Sequence, residues 1–278
     1  MPLFNNLATD SSGTEPSPAI WDRLSIGDIL KGKTRFFHED FNAFGLTTAV
    51  SSNVARYNAA HQWYSYESAA ADVVSQLATD ANGVVQASIA ATSNNEQWLQ
   101  GGSATAVMFQ PKTKANGGTS IFFECRVNKS VLTGNAFFGL SEEGSAADNF
   151  IADDGASTAD KDMIGFLVLE AAPTLVTFIH KKTSGTMVTS SSSFHTLVAD
   201  TFVKLGFIID MDEWDNAKRI KTFLNGVEQS TYVTNTLYEN TTNFPTGEEL
   251  MPIWGGKNVG EANIVRCDWI RCAQNRES

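Results

Sequence analysis

The amino-acid sequence predicts an all-β fold, an antiparallel β-sandwich preceded by an N-terminal extended arm. Three observations carry this. From Thr34 onward the apolar residues recur with period two rather than 3.6, as in strands with one face on a core. The apolar runs are short and separated by Gly, Asn, Asp and Ser, which suits tight reversals between neighbouring strands. No periodic run is long enough for a substantial helix, and no repeat of about 20–50 residues points to a solenoid or propeller. A chain of 278 residues is long for one average domain, yet sandwiches commonly reach roughly 200–250 residues as one unit. The reading is therefore an arm over 1–33 and one sandwich domain over 34–278.

Each element has its own justification. In the arm, Ala8 to Pro18 is polar and breaker-rich, and it buries too little apolar area to offset its ordering entropy. Pro18 then fits the first position of a helical turn that places Ile20 and Leu24 on one face. Ile20, Trp21, Leu24, Ile26, Ile29 and Leu30 make an apolar cluster with two open fates: packing on its own domain, or docking on a partner or another subunit.

Strands are expected over Phe36–Phe41, Gln62–Tyr66, Val84–Ala90 and Ala104–Phe109. In the next, Ile121, Phe123, Cys125 and Val127 alternate with Phe122, Glu124 and Arg126. Ala136–Leu140 follows. Ile164–Leu169 and Leu175–Ile179 are apolar on both faces and are joined by Glu170–Thr174, which predicts an inner hairpin. Val203, Leu205, Phe207 and Ile209 make another single face. Asn225-Gly226 is the clearest local signal, because this pair accepts the two positive φ angles of a type I′ turn. It joins Arg219–Leu224 to Val227–Gln229. Leu250–Trp254 and a terminal run, with Val265, Cys267 and Trp269 facing one way, complete the set. Long polar loops are expected over 141–162, 181–193 and 233–249, and rim loops of this kind are where sandwiches usually bind.

Composition narrows the function. No stretch of about 18 apolar residues exists, so no transmembrane helix and no membrane partner are expected. The N-terminus lacks the basic-then-apolar order of a secretory signal. A net charge of −11 repels phosphate backbones, and no basic run exceeds Lys181-Lys182, so nucleic acid is not expected as a partner. The three cysteines, Cys125, Cys267 and Cys272, lie in apolar or alternating runs and read as buried thiols of a chain made in a reducing cytoplasm. Cys267 and Cys272, five apart, should face opposite sides of one strand; a Cys125–Cys267 bridge is geometrically open. No zinc spacing occurs, and no cofactor is expected.

Catalytic signatures are absent at the level of spacing. His38, His61, His180 and His195 are scattered, with no nucleophile elbow beside them. The acidic groups are Glu39-Asp40, Glu142-Glu143, Asp153-Asp154, Glu248-Glu249 and Asp210 with Asp212 and Asp215. Adjacent carboxylates point to opposite sides of a strand, so the doublets cannot alone form the pair a glycosidase needs. Asp210 opens a sequence like a calcium loop, but Asp215 stands at the glycine position and Lys221 at the glutamate position; an irregular calcium site stays open. Trp63, Trp98, Trp254 and Trp269 read as core, and Trp214, in an acidic loop, is the candidate for an exposed sugar-stacking face.

Several runs together resemble a known family. Phe36-Phe37-His38-Glu39-Asp40-Phe41 opens the sandwich. Val203-Lys204-Leu205-Gly206-Phe207 is followed by Leu224-Asn225-Gly226-Val227, and Asp268-Trp269 falls in the last strand. From about residue 34 to the end this resembles the concanavalin A-like (laminin-G-like) jelly-roll modules of structural proteins in tailed bacteriophage virions. The resemblance implies a non-enzymatic structural protein on the capsid surface, a decoration (cement) protein made in the host cytoplasm. Its implied partners are the major capsid protein and further copies of itself, with the arm cluster as the docking element. A glycan-binding head-fibre or tail adsorption protein is the alternative, and a glycoside hydrolase on the same fold the third.

Overall fold

Two antiparallel sheets lie face to face, and the period-two patterning sets which side chains fill the space between them. The structure, a computed structural model, describes residues 13–24, 29, 31–41, 54–57, 62–69, 72–77, 83–102, 109–211 and 217–276. The first sheet contains β1 (Thr34–Glu39), β4 (Val73–Gln76), β5 (Val85–Ile89), β7 (Ile121–Lys129), β12 (Val203–Ile209), β13 (Ile220–Leu224), β14 (Val227–Val233) and β16 (Asn263–Asn275). The second contains β2 (Val54–Tyr57), β3 (Gln62–Glu67), β6 (Glu96–Gly101), β8 (Asn135–Glu142), β9 (Met163–Val168), β10 (Leu175–Lys181), β11 (Val188–Thr196) and β15 (Leu250–Lys257). Their orders are β14-β13-β12-β7-β16-β5-β4, with β1 also on β16, and β11-β10-β9-β8-β15-β6-β3-β2. The first strand of the sandwich thus pairs with the last, Thr34 opposite Asn275 and Glu39 opposite Ile270.

The core between the sheets takes Phe37, Trp63, Leu99, Phe123, Phe138, Phe166, Phe178, Phe207 and Trp254, all buried. The expected inner hairpin is present: β9 and β10 pair in the interior of the second sheet. Its inward face packs in the core, and its outward face, Met163, Leu167 and Ile179, packs in a second apolar cluster. Asn225 and Gly226 have φ of 49° and 79° and join β13 to β14, as the turn signal required.

Three readings are corrected. A bulge between Cys267 and Trp269 shifts the register of β16 against β7. An inserted residue reverses the facing of everything beyond it, so Ile270 and Cys272 join Cys267 in the core while Trp269 points outward with Arg271. Cys267 and Cys272 therefore share a face; all three cysteines are buried free thiols. Secondly, the polar loop expected over 181–193 contains most of β11, an edge strand whose Ser192 and Ser193 are exposed and whose one buried residue is Phe194. Thirdly, β2, β4 and β6 were not among the expected strands. Of the strand expected over Ala104–Phe109, only Phe109 is described, bridged to Leu250.

Candidate functional site

The arm residues come first, because the sequence placed docking there. A helical turn, α1 (Pro18–Trp21), sits on the outer face of the first sheet. Ile20, Trp21 and Leu24 are buried against Phe122, Ile208, Phe223 and Ala273 of that sheet, with Ile29 partly buried beside them. Ile20, Trp21 and Leu24 are thus covered by the chain's own first sheet. Ile26 and Leu30 lie outside the described residues. Polar contacts fix the seat: the Ser17 amide and Trp21 Nε1 donate to Glu124 Oε2 at 2.9 and 2.7 Å, and Trp269 Nε1 donates to the Thr14 carbonyl at 2.6 Å. Arg23 pairs with Asp210 at 2.6 Å. Gly206 lets Ile20 seat closely, since a Cβ there would sit 2.6 Å from Ile20 Cδ1 and displace that methyl.

The outer face of the second sheet carries the more unusual chemistry. Cross-strand register lines up Tyr66, Trp98, Gly255, Phe137 and Leu167 in one row, and Glu96, Lys257 and Asn135 in the next. Glycines let the large rings lie flat on the sheet. A Cβ on Gly139 or Gly165 would come 3.0 or 2.9 Å from Phe137 Cζ, and one on Gly255 2.7 Å from Trp98 Cε3. The β8–β9 connection folds over this strip. Phe150 sits edge-on to Trp98 and Phe137 at centroid separations of 4.8 and 5.3 Å, and Ala146 and Ile151 are buried beside it. Trp98 is thus covered, as are Trp63 and Trp254, and none is a sugar platform. Trp214 lies outside the described residues.

At the margin of this cap, acidic, aromatic and cationic groups converge. Lys257, fully buried, donates to Asn149 Oδ1 and the Ile151 carbonyl at 2.8 Å and to Asp153 at 2.6 Å, which pins the connection to the end of β15. It stands 3.6 Å from Glu96 Oε1. Glu96 is also fully buried and accepts from Trp98 Nε1 at 2.7 Å and from the Asn149 amide. Burial, supplemented by the nearby Asp148 carboxyl, pushes Glu96 up to about 7; the Trp98 and Asn149 donors and Lys257 oppose this. Tyr66 is raised to about 12, first by burial and then by the negative charges of Asp148 and Glu96 nearby. Asp148 and Asn149 are exposed. Asn149 joins the two carboxyls, its backbone amide donating to the buried Glu96 Oε1 and its Nδ2 to the exposed Asp148 Oδ2 at 3.2 Å, and Glu96 is able to hold a proton near neutrality.

A second carboxyl pair lies at the opposite end of β8. Glu142 pairs not with its neighbour Glu143 but with Asp162, and Thr183 Oγ1 bridges them at 3.1 and 3.0 Å. Asp162 is raised to about 6, first by burial and then by Glu142. In each pair a single residue joins the two carboxyls, Asn149 in the first and Thr183 in the second. Asp210 is anchored by Arg23 and Lys221, while Asp212 and Asp215 lie outside the described residues. Among the described residues no group of three His, Cys, Asp or Glu could hold a metal ion. His180 faces the core with no hydrogen-bond partner and is lowered to about 4 by burial.

Sequence reasoning missed Glu96, Tyr66, Asp148 and Asn149. Glu96 and Trp98 are two apart on one strand face, a usable signal; Asp148 and Asn149 come from a connection whose path the sequence does not specify.

No protein-family model matches this chain, and no curated protein does. Solved structures do. One of peanut lectin with a nine-residue peptide is 14% identical with a TM-score of 0.50, covering 87% of this chain and 97% of that one. The fold is a concanavalin A-like jelly roll. An endo-1,3-beta-glucanase from Streptomyces sioyaensis is 14% identical with a TM-score of 0.49, covering 87% and 97%; SCLam, a non-specific endo-beta-1,3(4)-glucanase, is 10% identical with a TM-score of 0.47, covering 88% and 92%. This corrects the expectation of a non-enzymatic protein. A fold alone does not separate a binding module from an enzyme, so the missing glycosidase spacing does not license that expectation. The fold half of the sequence resemblance is present; nothing in these neighbours points to a virion or to capsid decoration.

Proposed function

We propose that this jelly roll binds a carbohydrate at the margin of the capped sheet, where Tyr66, Glu96, Asp148 and Asn149 converge. The observation that carries the reading is Asn149 donating both to the buried Glu96 carboxyl and to the exposed Asp148 carboxyl, on the sheet margin that Tyr66 shares with Trp98. Sugar hydroxyls donate and accept in pairs, and a carboxylate with a neighbouring amide answers both needs. An aromatic ring supplies the apolar surface that packs on the C–H face of a pyranose. Lys257 holds the Asn149 side chain and the connection in place before any ligand arrives, which lowers the ordering cost of binding. The virion setting rests on the sequence motifs; in that setting the same site serves adsorption to a host glycan. A glycan array probed with the full chain is expected to give a discrete set of positives that Tyr66→Ala abolishes. An array blank for the wild type, or positives that the variant retains, would overturn the reading.

A further inference from the structure

We infer that the Asn225-Gly226 turn is a self-modification site. Asn225 loses its side-chain amide to attack by the Gly226 backbone nitrogen, with water as the co-reactant, and the change loosens the N-terminal arm packed beside the turn. The turn joins β13 to β14, with φ of 49° at Asn225 and 79° at Gly226. Asn225 is exposed, so hydroxide and water reach its side chain and ammonia can leave.

The reaction needs no oxidant or reductant. Hydroxide takes the Gly226 amide proton, and the nitrogen attacks Asn225 Cγ to close a five-membered ring. The Cγ–Nδ2 bond breaks, Nδ2 takes a proton from water and leaves as ammonia, and a succinimide remains. Water then adds to either ring carbonyl and opens the ring to aspartate or isoaspartate, with one negative charge gained. Gly226 has no side chain to shield its nitrogen, and among the described residues no hydrogen bond occupies that amide. Asn225 Oδ1 accepts from the Lys204 amide at 2.9 Å, a donor aimed at the oxygen that becomes negative during attack. Asn116-Gly117 is the comparison within the same chain. It closes a single 3₁₀ turn, Lys114–Asn116, and there the Gly117 amide donates to the Lys114 carbonyl at 3.2 Å. That bond must break before the nitrogen can attack.

The consequence is set by what leans on the turn. The Asn225 amide donates back to the Lys204 carbonyl at 2.9 Å, and Lys204 Nζ donates to the Glu15 carbonyl at 2.9 Å. Ser17 packs directly on Gly226, where an added Cβ would lie 2.7 Å from Ser17 Oγ. Phe223, at the end of β13, belongs to the cluster that buries Ile20, Trp21 and Leu24. Isoaspartate routes the main chain through the former side chain and lengthens it, which a two-residue type I′ turn cannot absorb without shifting. The new carboxylate also competes with the Glu15 carbonyl for the Lys204 ammonium. Both effects act on residues 15–17 of the arm, and hydrolysis makes the change one-way.

The test is to age the full chain at mildly alkaline pH, folded and in denaturant, and to follow amide-to-acid conversion at Asn225 and Asn116 by fragment-ion mass spectrometry. In the folded protein Asn225 is expected to convert at least threefold faster than Asn116, with isoaspartate among its products, and in denaturant the two are expected to convert at similar rates. Limited proteolysis then reads the arm. Aged wild type is expected to be cleaved between residues 13 and 24 at least tenfold faster than fresh wild type. Asn225→Gly keeps a residue suited to the left-handed position and has no amide to lose, so its cleavage rate is expected to stay the same on ageing; its melting temperature shows that it is folded. Three results would each overturn the inference: no conversion of Asn225 in the folded chain, conversion of Asn116 as fast as Asn225 there, or an arm in aged wild type cleaved no faster, relative to its fresh sample, than the arm in aged Asn225→Gly.

Discussion

Glu96 has the most informative titration in the molecule. Its carboxyl has an ordinary value of 4.5 in a solvated chain and about 7 in the fold. The folded protein therefore holds the proton more tightly, and stability is lost as pH rises from about 4.5 to about 7. Glu96→Gln keeps the shape and removes the titration. Relative to this variant, the wild type is expected to lose up to about 3 kcal/mol between pH 5 and pH 8 in denaturant unfolding; parallel curves would contradict the burial argument. His180 acts in the opposite sense. Its value is lowered to about 4, so the folded state rejects the proton and stability is lost as pH falls from about 6.5 towards 4. His180 packs 5.0 Å from the Phe244 ring. His180→Phe is accordingly expected to move the acid-unfolding midpoint to lower pH, read by circular dichroism. An unmoved midpoint would place acid sensitivity elsewhere. Neither residue announced itself in the sequence: facing is set by register, but depth of burial depends on which connections cover the sheet.

At the scale of elements, local chemistry was legible wherever one residue type has one backbone use. Asn225-Gly226 gave its turn, Pro18 its helical turn, and Glu170–Thr174 the reversal inside the β9–β10 hairpin. The bulge after Cys267 was not legible, because Asp268-Trp269-Ile270 reads equally well in either facing and only pairing with β7 decides it. β11 escaped for a related reason: serine-rich edge strands bury almost nothing, so periodicity has no apolar signal to report. The arm shows what pattern alone leaves open. Its apolar cluster was visible, but the seat beside Glu124 was not. Trp21→Ala removes a buried ring and one of the donors to Glu124, and large-to-small changes of this kind cost about 3–5 kcal/mol in a core. The expected result is an arm that lifts locally, with protease cleavage between residues 13 and 24 accelerated at least tenfold while the sandwich melts as a unit. Unchanged cleavage would mean that Trp269 and Arg23 hold the arm without Trp21.

For the whole molecule, the sandwich follows from composition and period, whereas the candidate site follows from one long connection laid across a sheet. Gly139, Gly165 and Gly255 leave room on that sheet for the Phe137 and Trp98 rings, and Phe150 closes over them. What remains open at the margin is Tyr66 with Asp148 and Asn149. The long 141–162 segment was visible as a binding-prone loop; its path over the sheet and its tether to Lys257 were not, since those contacts join residues about a hundred positions apart. The thiols offer a test of the whole fold. Cys125, Cys267 and Cys272 all face the core and burial pushes each well above its ordinary range. A thiol reagent is expected to label none in the native protein and three on denaturation; native labelling would contradict the β16 register. The central claim is carbohydrate binding at the Tyr66 margin, and calorimetric titration of the best glycan-array hit into wild type, Tyr66→Ala and Asp148→Asn tests it most directly. The account expects saturable one-to-one binding by the wild type, weakened at least tenfold in both variants at unchanged melting temperature. Wild-type affinity in Asp148→Asn and Tyr66→Ala would contradict it.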